Sequence, residues 1–376
     1  MFRPIHKDKD SRSRLGKLFT SSGEILTPCF MPVGTQGTVK TLSPQDIEDC
    51  KAQIVLSNAY HLFLRPGVEI IKKAGGLHRF MSWNKPILTD SGGYQIFSLA
   101  LLRKVSDNGV EFQSHIDGLK HFLTPEDVIQ IQRDLGSDVM MPLDECVHYP
   151  CPKDQAEVAL KRTLALARRS LAALEQQSKV KERRQFLFGI VQGATYEDLR
   201  KQAAEQLIAI GFDGYAIGGV SVGEPKELVY NTVNFVAGLL PEDKARYLMG
   251  VGLPPDVLEA IGQGIDMFDC VAPTRYGRNG TAFTSRGKLK VMNSPYKEDF
   301  LALEPGCPCY TCRNFSRAYL RHLFNAGELL GHRLVSLHNI YFYLELMHRA
   351  QEAIKEDRFV EFKKQFLSKY KEGNNN

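Results

Sequence analysis

Several absences narrow the field before any motif is read. No window of the chain reaches the ~20 consecutive apolar residues that a membrane-spanning helix requires. Residues 1–20 are charged and lack the apolar core of a secretory signal. Charge of one sign is also scarce: 48 Lys and Arg against 43 Asp and Glu leave a formal net charge of +5. That permits a local basic patch for nucleic acid but does not demand one. No glycine fingerprint of the dinucleotide-binding kind follows the first apolar run, which argues against a doubly wound open sheet. Cysteine is sparse and uneven. Cys29, Cys50, Cys146, Cys151 and Cys270 are scattered, whereas Cys307, Cys309 and Cys312 are bunched without a fourth cysteine nearby. Bunching without a secretion signal points to metal rather than disulfides, and to a reducing cytoplasm.

What is present begins with size. At 376 residues, 43% hydrophobic and 24% charged, the chain has the composition of a soluble globular protein and room for one large domain plus an accessory unit. Eight short apolar runs recur at residues 29–33, 54–57, 86–89, 139–143, 186–191, 215–217, 247–249 and 267–271. Most end in polar residues or glycine, such as Asp90-Ser91-Gly92-Gly93, Asp144-Glu145 and Gln192-Gly193. Helical patterns lie between them. Ser43 is placed to cap a helix over 46–51, and Thr124 with Pro125 and Asp127 starts one that runs to 135. Residues 153–177, 196–210, 225–239 and 255–264 have helical periodicity. Eight strand–helix units in series predict a parallel TIM (β/α)8 barrel, whose strand ends converge on one face where active sites sit. Asp90, Asp144, Gln192, Gly219, Met249 and Asp269 would then share one mouth. Residues 110–114 and 120–123, turning at Asp117-Gly118, read as a hairpin inserted after the third strand, and residues 281–292 as another.

The last run carries the sharpest signal. Asp269 sits inside the apolar segment Met267-Phe268-Asp269-Cys270-Val271, where a carboxylate is costly to bury without a partner or a purpose. Thr274, Arg275, Tyr276, Gly277 and Arg278 follow Pro273 at once, in what reads as a loop. A candidate acid or nucleophile with two guanidinium groups close behind suits chemistry on a substrate that carries phosphates. Asp266 is a second carboxylate nearby and reads as structural.

After Pro305 the texture changes. Three thiols within six residues, followed by His338, form a Cys3His set suited to tetrahedral zinc. His322, His332 and His348 compete for the fourth position. Four protein ligands leave no open position, so the zinc would be structural, pinning helices over 314–326 and 337–352. Residues 358–370 read as a last helix, long enough to be the eighth of the barrel, and the tail 371–376 as disordered. The organisation expected is a catalytic barrel over 1–296, a zinc-binding subdomain over 297–345, and C-terminal helices over 346–376 that complete the barrel.

With these residues in view, the chain resembles the tRNA-guanine transglycosylases (queuine tRNA-ribosyltransferases) in their bacterial form. The resemblance rests on Asp90-Ser91-Gly92-Gly93-Tyr94-Gln95, Asp144-Glu145-Cys146, Gly189-Ile190-Val191-Gln192-Gly193, and Gly218 to Glu224. It continues through Tyr247 to Gly252, Asp266 to Val271, Thr274 to Arg278, and the cysteine cluster. The stretches span nearly the whole chain in the family's order. The resemblance implies replacement of guanine at the wobble position of G-U-N anticodon tRNAs by a 7-deazaguanine. Asp269 would be the nucleophile of a covalent ribosyl–enzyme intermediate, and Asp90 the general acid/base. Ser91, Gly92 and Gly93 belong to the pocket. Asp144 would accept from the guanine N–H edge, Gln192 and the Gly219 amide would donate to its carbonyl oxygen, and Tyr94 and Met249 would sandwich the ring. Gly250, Val251, Gly252, Leu253, Pro254, Pro255 and Asp256, with Thr274, Arg275, Tyr276, Gly277 and Arg278, would hold the RNA. One structural zinc per chain and a homodimer joined through the zinc region are also implied.

One departure stands out. Where bacterial members commonly carry Leu-Ala after the paired glycines, this chain has Val220-Ser221, which leaves the incoming base open between 7-aminomethyl-7-deazaguanine and the bulkier queuine. Glu224 is placed to hold that loop. The rivals are an archaeosine-type or DNA-modifying relative, which usually carries further domains, and a non-catalytic paralogue that binds RNA or a partner subunit. The presence of both Asp90 and Asp269 argues against the second.

Overall fold

Eight short parallel strands close on themselves in the computed structural model, which describes residues 1–99, 102–177 and 184–370. They are β1 (Cys29–Met31), β2 (Val55–Asn58), β3 (Ile87–Asp90), β4 (Val139–Met140), β5 (Phe186–Val191), β6 (Gly214–Ile217), β7 (Ala245–Leu248) and β8 (Met267–Asp269). Each pairs with its sequence neighbour, and β8 returns to β1 through Met267 opposite Cys29. The last seam, between β1 and β2, is closed by a parallel bridge of Val33 to Leu56 and by the Gly34 amide donating to the Leu56 carbonyl at 2.6 Å. This is the expected TIM barrel. Its strands read as continuous apolar runs because both faces are covered: all six residues of β5 are buried.

The barrel interior is packed by Met31, Leu88, Met141, Phe188, Tyr247 and their neighbours. Its lower end is plugged by Phe2, Leu18 and Ile25 from an antiparallel sheet of Phe2–Lys7, Arg14–Thr20 and Gly23–Thr27. The sequence reading found no structure here, because the sheet's outer face is charged and masks the alternation. Asp266 belongs to this end. It is fully buried, takes Nε of Arg14 at 3.0 Å and the Arg246 amide at 2.7 Å, and lies at the opposite end of β8 from Asp269. Both expected helix starts are present as reciprocal capping boxes, Ser43 with Asp46 and Thr124 with Asp127. The insert after β3 has one strand more than a hairpin: Arg103–Ser106, Gly109–Gln113 and Lys120–Leu123 form a three-stranded antiparallel sheet. Residues 281–292 do form a hairpin, Thr281–Thr284 with Gly287–Lys290.

Two local expectations are corrected. Residues 274–278 are not a loop but most of a helix, Ala272–Arg278, because Pro273 stands in the first turn, where its fixed φ starts a helix instead of breaking one. The helix expected over 337–352 is longer, Leu329–Lys355, a single unbroken run across residue 345. Its periodicity is hidden because it is packed on several sides and buries Ser336, His338 and Asn339 among its apolar residues. This helix lies against β1, with Phe30 and Tyr343 ring centroids 4.8 Å apart, and against Ala272–Arg278. It therefore takes the place of the eighth barrel helix. Phe359–Lys369 packs outside it against Pro254–Gly262. The tail 371–376 lies outside the described residues.

Gly277 is what lets Ala272–Arg278 lie on the long helix. A Cβ there would stand 2.7 Å from the Cα of Ser336, a backbone atom that cannot step aside. Gly277→Ala is expected to destabilise the fold by about 1–3 kcal/mol through overpacking, read as a lower denaturant midpoint at unchanged slope. An unmoved midpoint would show that the two helices separate freely.

Candidate active site

The strand ends place Asp90, Asp144, Gln192, Gly219, Met249 and Asp269 on the C-terminal face of the barrel, as the eight-unit reading requires. The two outer members of this set are held differently. Asp90 closes β3 and is buried. Its Oδ2 accepts from Nδ2 of Asn58 at 2.5 Å and Nε2 of Gln95 at 2.8 Å, and its Oδ1 accepts from the Ala59 amide at 3.2 Å. Asp269 closes β8. Its Oδ1 takes both the Tyr247 hydroxyl at 2.6 Å and the Gly250 amide at 2.8 Å, while Oδ2 accepts nothing among the described residues. Asp90 thus has both oxygens occupied, and Asp269 keeps one oxygen ready for another atom.

Neither carboxylate has a cationic partner among the described residues. Burial pushes Asp90 up to about 7, against the pull of the bonds from Asn58, Gln95 and Ala59, and the nearby negative charge of Asp269 adds to the rise. Burial raises Asp269 as well, offset by Tyr247 and Gly250. Asp144 is pushed up to about 6, again by burial, and its partners are neutral: Nε2 of Gln192 at 2.8 Å and, more loosely, Oγ of Ser91 at 3.5 Å. No arginine pairs with it among the described residues. A group that titrates near neutrality can both give and take a proton at working pH.

The rest of the expected pocket is placed as follows. Ser91 Oγ accepts from the Gly93 amide, so Ser91, Gly92 and Gly93 turn the chain from β3 into the helix Gly93–Leu99. Tyr94, on that helix, is 53% exposed. Met249 is half-buried on the interior packing, and Val220 is buried under the β6 loop. Glu224 accepts from the Ser221 and Val222 amides at 2.6 and 2.8 Å and so fixes that loop.

The stretches expected to hold RNA divide by exposure. Gly250 and Arg275 are exposed; Val251, Gly252, Pro254, Thr274 and Gly277 are buried; Leu253, Pro255, Tyr276 and Arg278 are half-buried. Leu253 precedes the helix that Pro254 and Pro255 begin, and Asp256 is engaged by the Tyr230 hydroxyl and Lys226. Lys288 lies over the Tyr276 ring at 4.8 Å.

The cysteine cluster also closes. One ligand atom from each of Cys307, Cys309, Cys312 and His338 lies within 4.8 Å of the others. Nδ1 of His338 faces the three sulfurs, and its Nε2 meets the Phe283 carbonyl at 2.8 Å, which orients the ring as an outer partner of a metal ligand does. His332 is engaged elsewhere, with the Arg278 carbonyl, so the choice among histidines falls on His338. The donor set fits a closed four-coordinate metal ion.

Sequence reasoning missed Asn58, Gln95, Tyr247 and Arg200. Asn58 ends β2 opposite Asp90 in register, and that polar strand end was a usable signal. Tyr247 had none, since an aromatic inside a strand reads as core. Arg200 lies in the helix Glu197–Ile210 and is 1% exposed, with no carboxylate to explain it.

The raised Asp90 gives a test of the electrostatics that needs no substrate. Its folded value lies above the ordinary 3.8, so the protonated form is favoured by the fold. That contribution is complete below about pH 4 and is lost as pH rises through about 7. Asp90→Asn, which mimics the neutral acid, is expected to raise thermal stability at pH 8 by up to about 4 kcal/mol and to leave it nearly unchanged at pH 4. Equal effects at both pH values would show that Asp90 is not destabilised by ionisation.

Comparison with known proteins covers the full barrel. The profile of the family described as Queuine tRNA-ribosyltransferase matches residues 8–372. A queuine tRNA-ribosyltransferase of Thermoanaerobacter pseudethanolicus is 57% identical over 369 residues, covering 98% of this chain and 97% of the relative. One from Aquifex aeolicus is 56% identical over 375 residues, covering 96% and 97%, and one from Desulforudis audaxviator is 55% identical over 368 residues, covering 98% of each. With a profile match across nearly its whole length and relatives of this identity and coverage, the chain belongs to the queuine tRNA-ribosyltransferase family.

Proposed function

We propose that this protein exchanges guanine at the wobble position of G-U-N anticodon tRNAs for a 7-deazaguanine, through a ribosyl ester of Asp269. The observation that carries the reading is the unequal holding of the two carboxylates. Oδ1 of Asp269 is fixed by Tyr247 and Gly250 while Oδ2 is left without a partner, as a nucleophile at a glycosidic carbon needs. Oδ2 forms the bond to ribose C1′ as the bond from C1′ to the guanine nitrogen breaks, and the electron pair leaves with the base. Asp90, near neutrality, gives that base a proton. When the 7-deazaguanine enters, Asp90 takes its proton back, the new glycosidic bond forms and the ester to Asp269 is released, so the proton count returns to its start.

The base is held between Tyr94 and Met249, as an extruded nucleotide requires. Asp144 accepts from its N–H edge. Gln192 keeps one N–H on Asp144 and has a second for the base carbonyl. Arg275, exposed beside the mouth, meets phosphate. The incoming base is 7-aminomethyl-7-deazaguanine or queuine, and the buried Val220 with the Ser221 hydroxyl lines the side on which they differ. The four-ligand cluster holds one Zn2+, which supplies folding energy and no chemistry, since no coordination position is open. The exposed apolar groups of that region, Phe300, Leu301 and Leu329 among them, support a homodimer contact there. The compartment proposed is the cytoplasm, where tRNA is modified and where the eight cysteines stay out of disulfides. No described helix is long and apolar enough to cross a membrane.

The experiment is incorporation of labelled guanine, and of each 7-deazaguanine, into unfractionated tRNA. The native protein should exchange, and Asp269→Ala should lose at least ~10³-fold in rate with tRNA affinity kept within about twofold. A native protein that binds tRNA without exchange would favour the non-catalytic paralogue, and a covalent tRNA adduct trapped from Asp269→Ala would move the nucleophile elsewhere.

For the metal, elemental analysis should find about one zinc per chain, and Cys309→Ala should lose both zinc and soluble protein. A metal-free protein of full activity and unchanged melting temperature would refute the assignment.

A further inference from the structure

Arg200 is the one large charged side chain buried at the mouth that the chemistry above leaves unused. Four of its N–H groups are spent on backbone carbonyls: Nε on Ala194 at 2.8 Å, Nη1 on Val191 and Gly218 at 2.7 Å each, and Nη2 on Gly219 at 2.9 Å. No carboxylate pairs with it among the described residues. Burial pushes it down only to about 10, so it stays charged at neutral pH. One guanidinium therefore ties the end of β5, which carries Gln192, to the loop after β6.

The consequence follows from the planarity of the peptide unit. In a trans peptide the C=O of one residue and the N–H of the next point in opposite directions. The bonds after Gly218 and Gly219 are trans. Arg200 draws both carbonyls toward itself, so the amides of Gly219 and Val220 are turned away from it. Neither amide donates to any group among the described residues. The residue at 219 has φ of +60°, and a Cβ there would meet Oε1 of Gln192 at 2.2 Å, so glycine is required where the loop passes Gln192. The next two amides, of Ser221 and Val222, are occupied by Glu224. The loop thus holds two adjacent N–H groups free and two engaged.

We propose that Arg200 is a positioning residue that fixes the Gly219 and Val220 amides as a paired donor for the carbonyl oxygen of the base. This rests on the base-exchange reading of the site and deepens it. A preformed pair of amides costs no reorganisation when the base arrives, which is how backbone donors become effective at an oxygen. The charge on Arg200 also polarises the two peptide units through their carbonyls and strengthens the N–H groups at their far ends.

The test compares binding of guanine with that of its 6-thio analogue, which keeps the N–H edge but accepts hydrogen bonds weakly. The native protein should prefer guanine. In Arg200→Lys, which retains the charge but cannot span four carbonyls, guanine should weaken about tenfold or more while the thio analogue changes little, so that the preference collapses; tRNA affinity should hold. Arg200→Gln, judged by the same ratio, serves if the lysine protein is insoluble. Equal weakening of both bases would mean a general loss of the pocket, and an unchanged ratio would mean that the amides are set without Arg200; either overturns the proposal. A native protein that does not separate the two bases would overturn the reading of the site itself, a failure visible before any variant is made.

Discussion

Carboxylates buried without cations are the constraint on which this structure turns. Asp90, Asp144 and Asp269 stand at the open end of the barrel with amide and hydroxyl partners only. An arginine placed beside Asp90 would hold it ionised and unfit to move a proton at neutral pH. The positive groups of the region are instead spent on carbonyls, as with Arg200, or are kept at the surface, as with Arg275. The site is thereby less stable than it could be and better suited to accept and return protons. A carboxylate that does have a buried cation, Asp266, sits at the other end of the same strand, where it fastens the N-terminal sheet to the barrel. Two aspartates three residues apart have opposite surroundings because β8 carries them to opposite ends of the barrel.

That contrast also shows what the sequence could reveal. The eight apolar runs ending in polar residues were enough for the barrel, since a parallel barrel buries both faces of each strand and leaves its chemistry at the strand ends. Asp269 was conspicuous because it interrupts such a run, and the bunched cysteines because thiols at that spacing have few other uses. What stayed hidden had local signals that pointed elsewhere. Pro273 read as a breaker because a proline in a first turn and one in a loop look alike without the following contacts. The full length of Leu329–Lys355 was obscured by its buried Ser336, His338 and Asn339; the last two are polar because they serve the cysteine cluster and the neighbouring hairpin. Asn58, Tyr247 and Arg200 act on groups far away in sequence, and no periodicity encodes a partner.

The long helix deserves a place beside the carboxylates because it connects layers that would otherwise be independent. Asn339 alone bonds the Phe283 amide and the carbonyls of Pro273 and Thr281, so the hairpin and the helix after β8 share one side chain. His338, its neighbour, faces the three sulfurs. One turn further along, Tyr343 packs tilted against Phe30 of β1 and gives its hydroxyl to the Gly252 carbonyl at 2.5 Å.

Gly252 is two residues from Gly250, whose amide fixes Oδ1 of Asp269. The path from the cysteine cluster to Asp269 is therefore a single rigid rod and one short turn of chain. With the proposed zinc in place, its loss would loosen the anchored end of that rod and, through it, the turn that holds Asp269. Chelation and heating would then act on the same end of the fold, and the placing of Asp269 would fail together with the soluble protein.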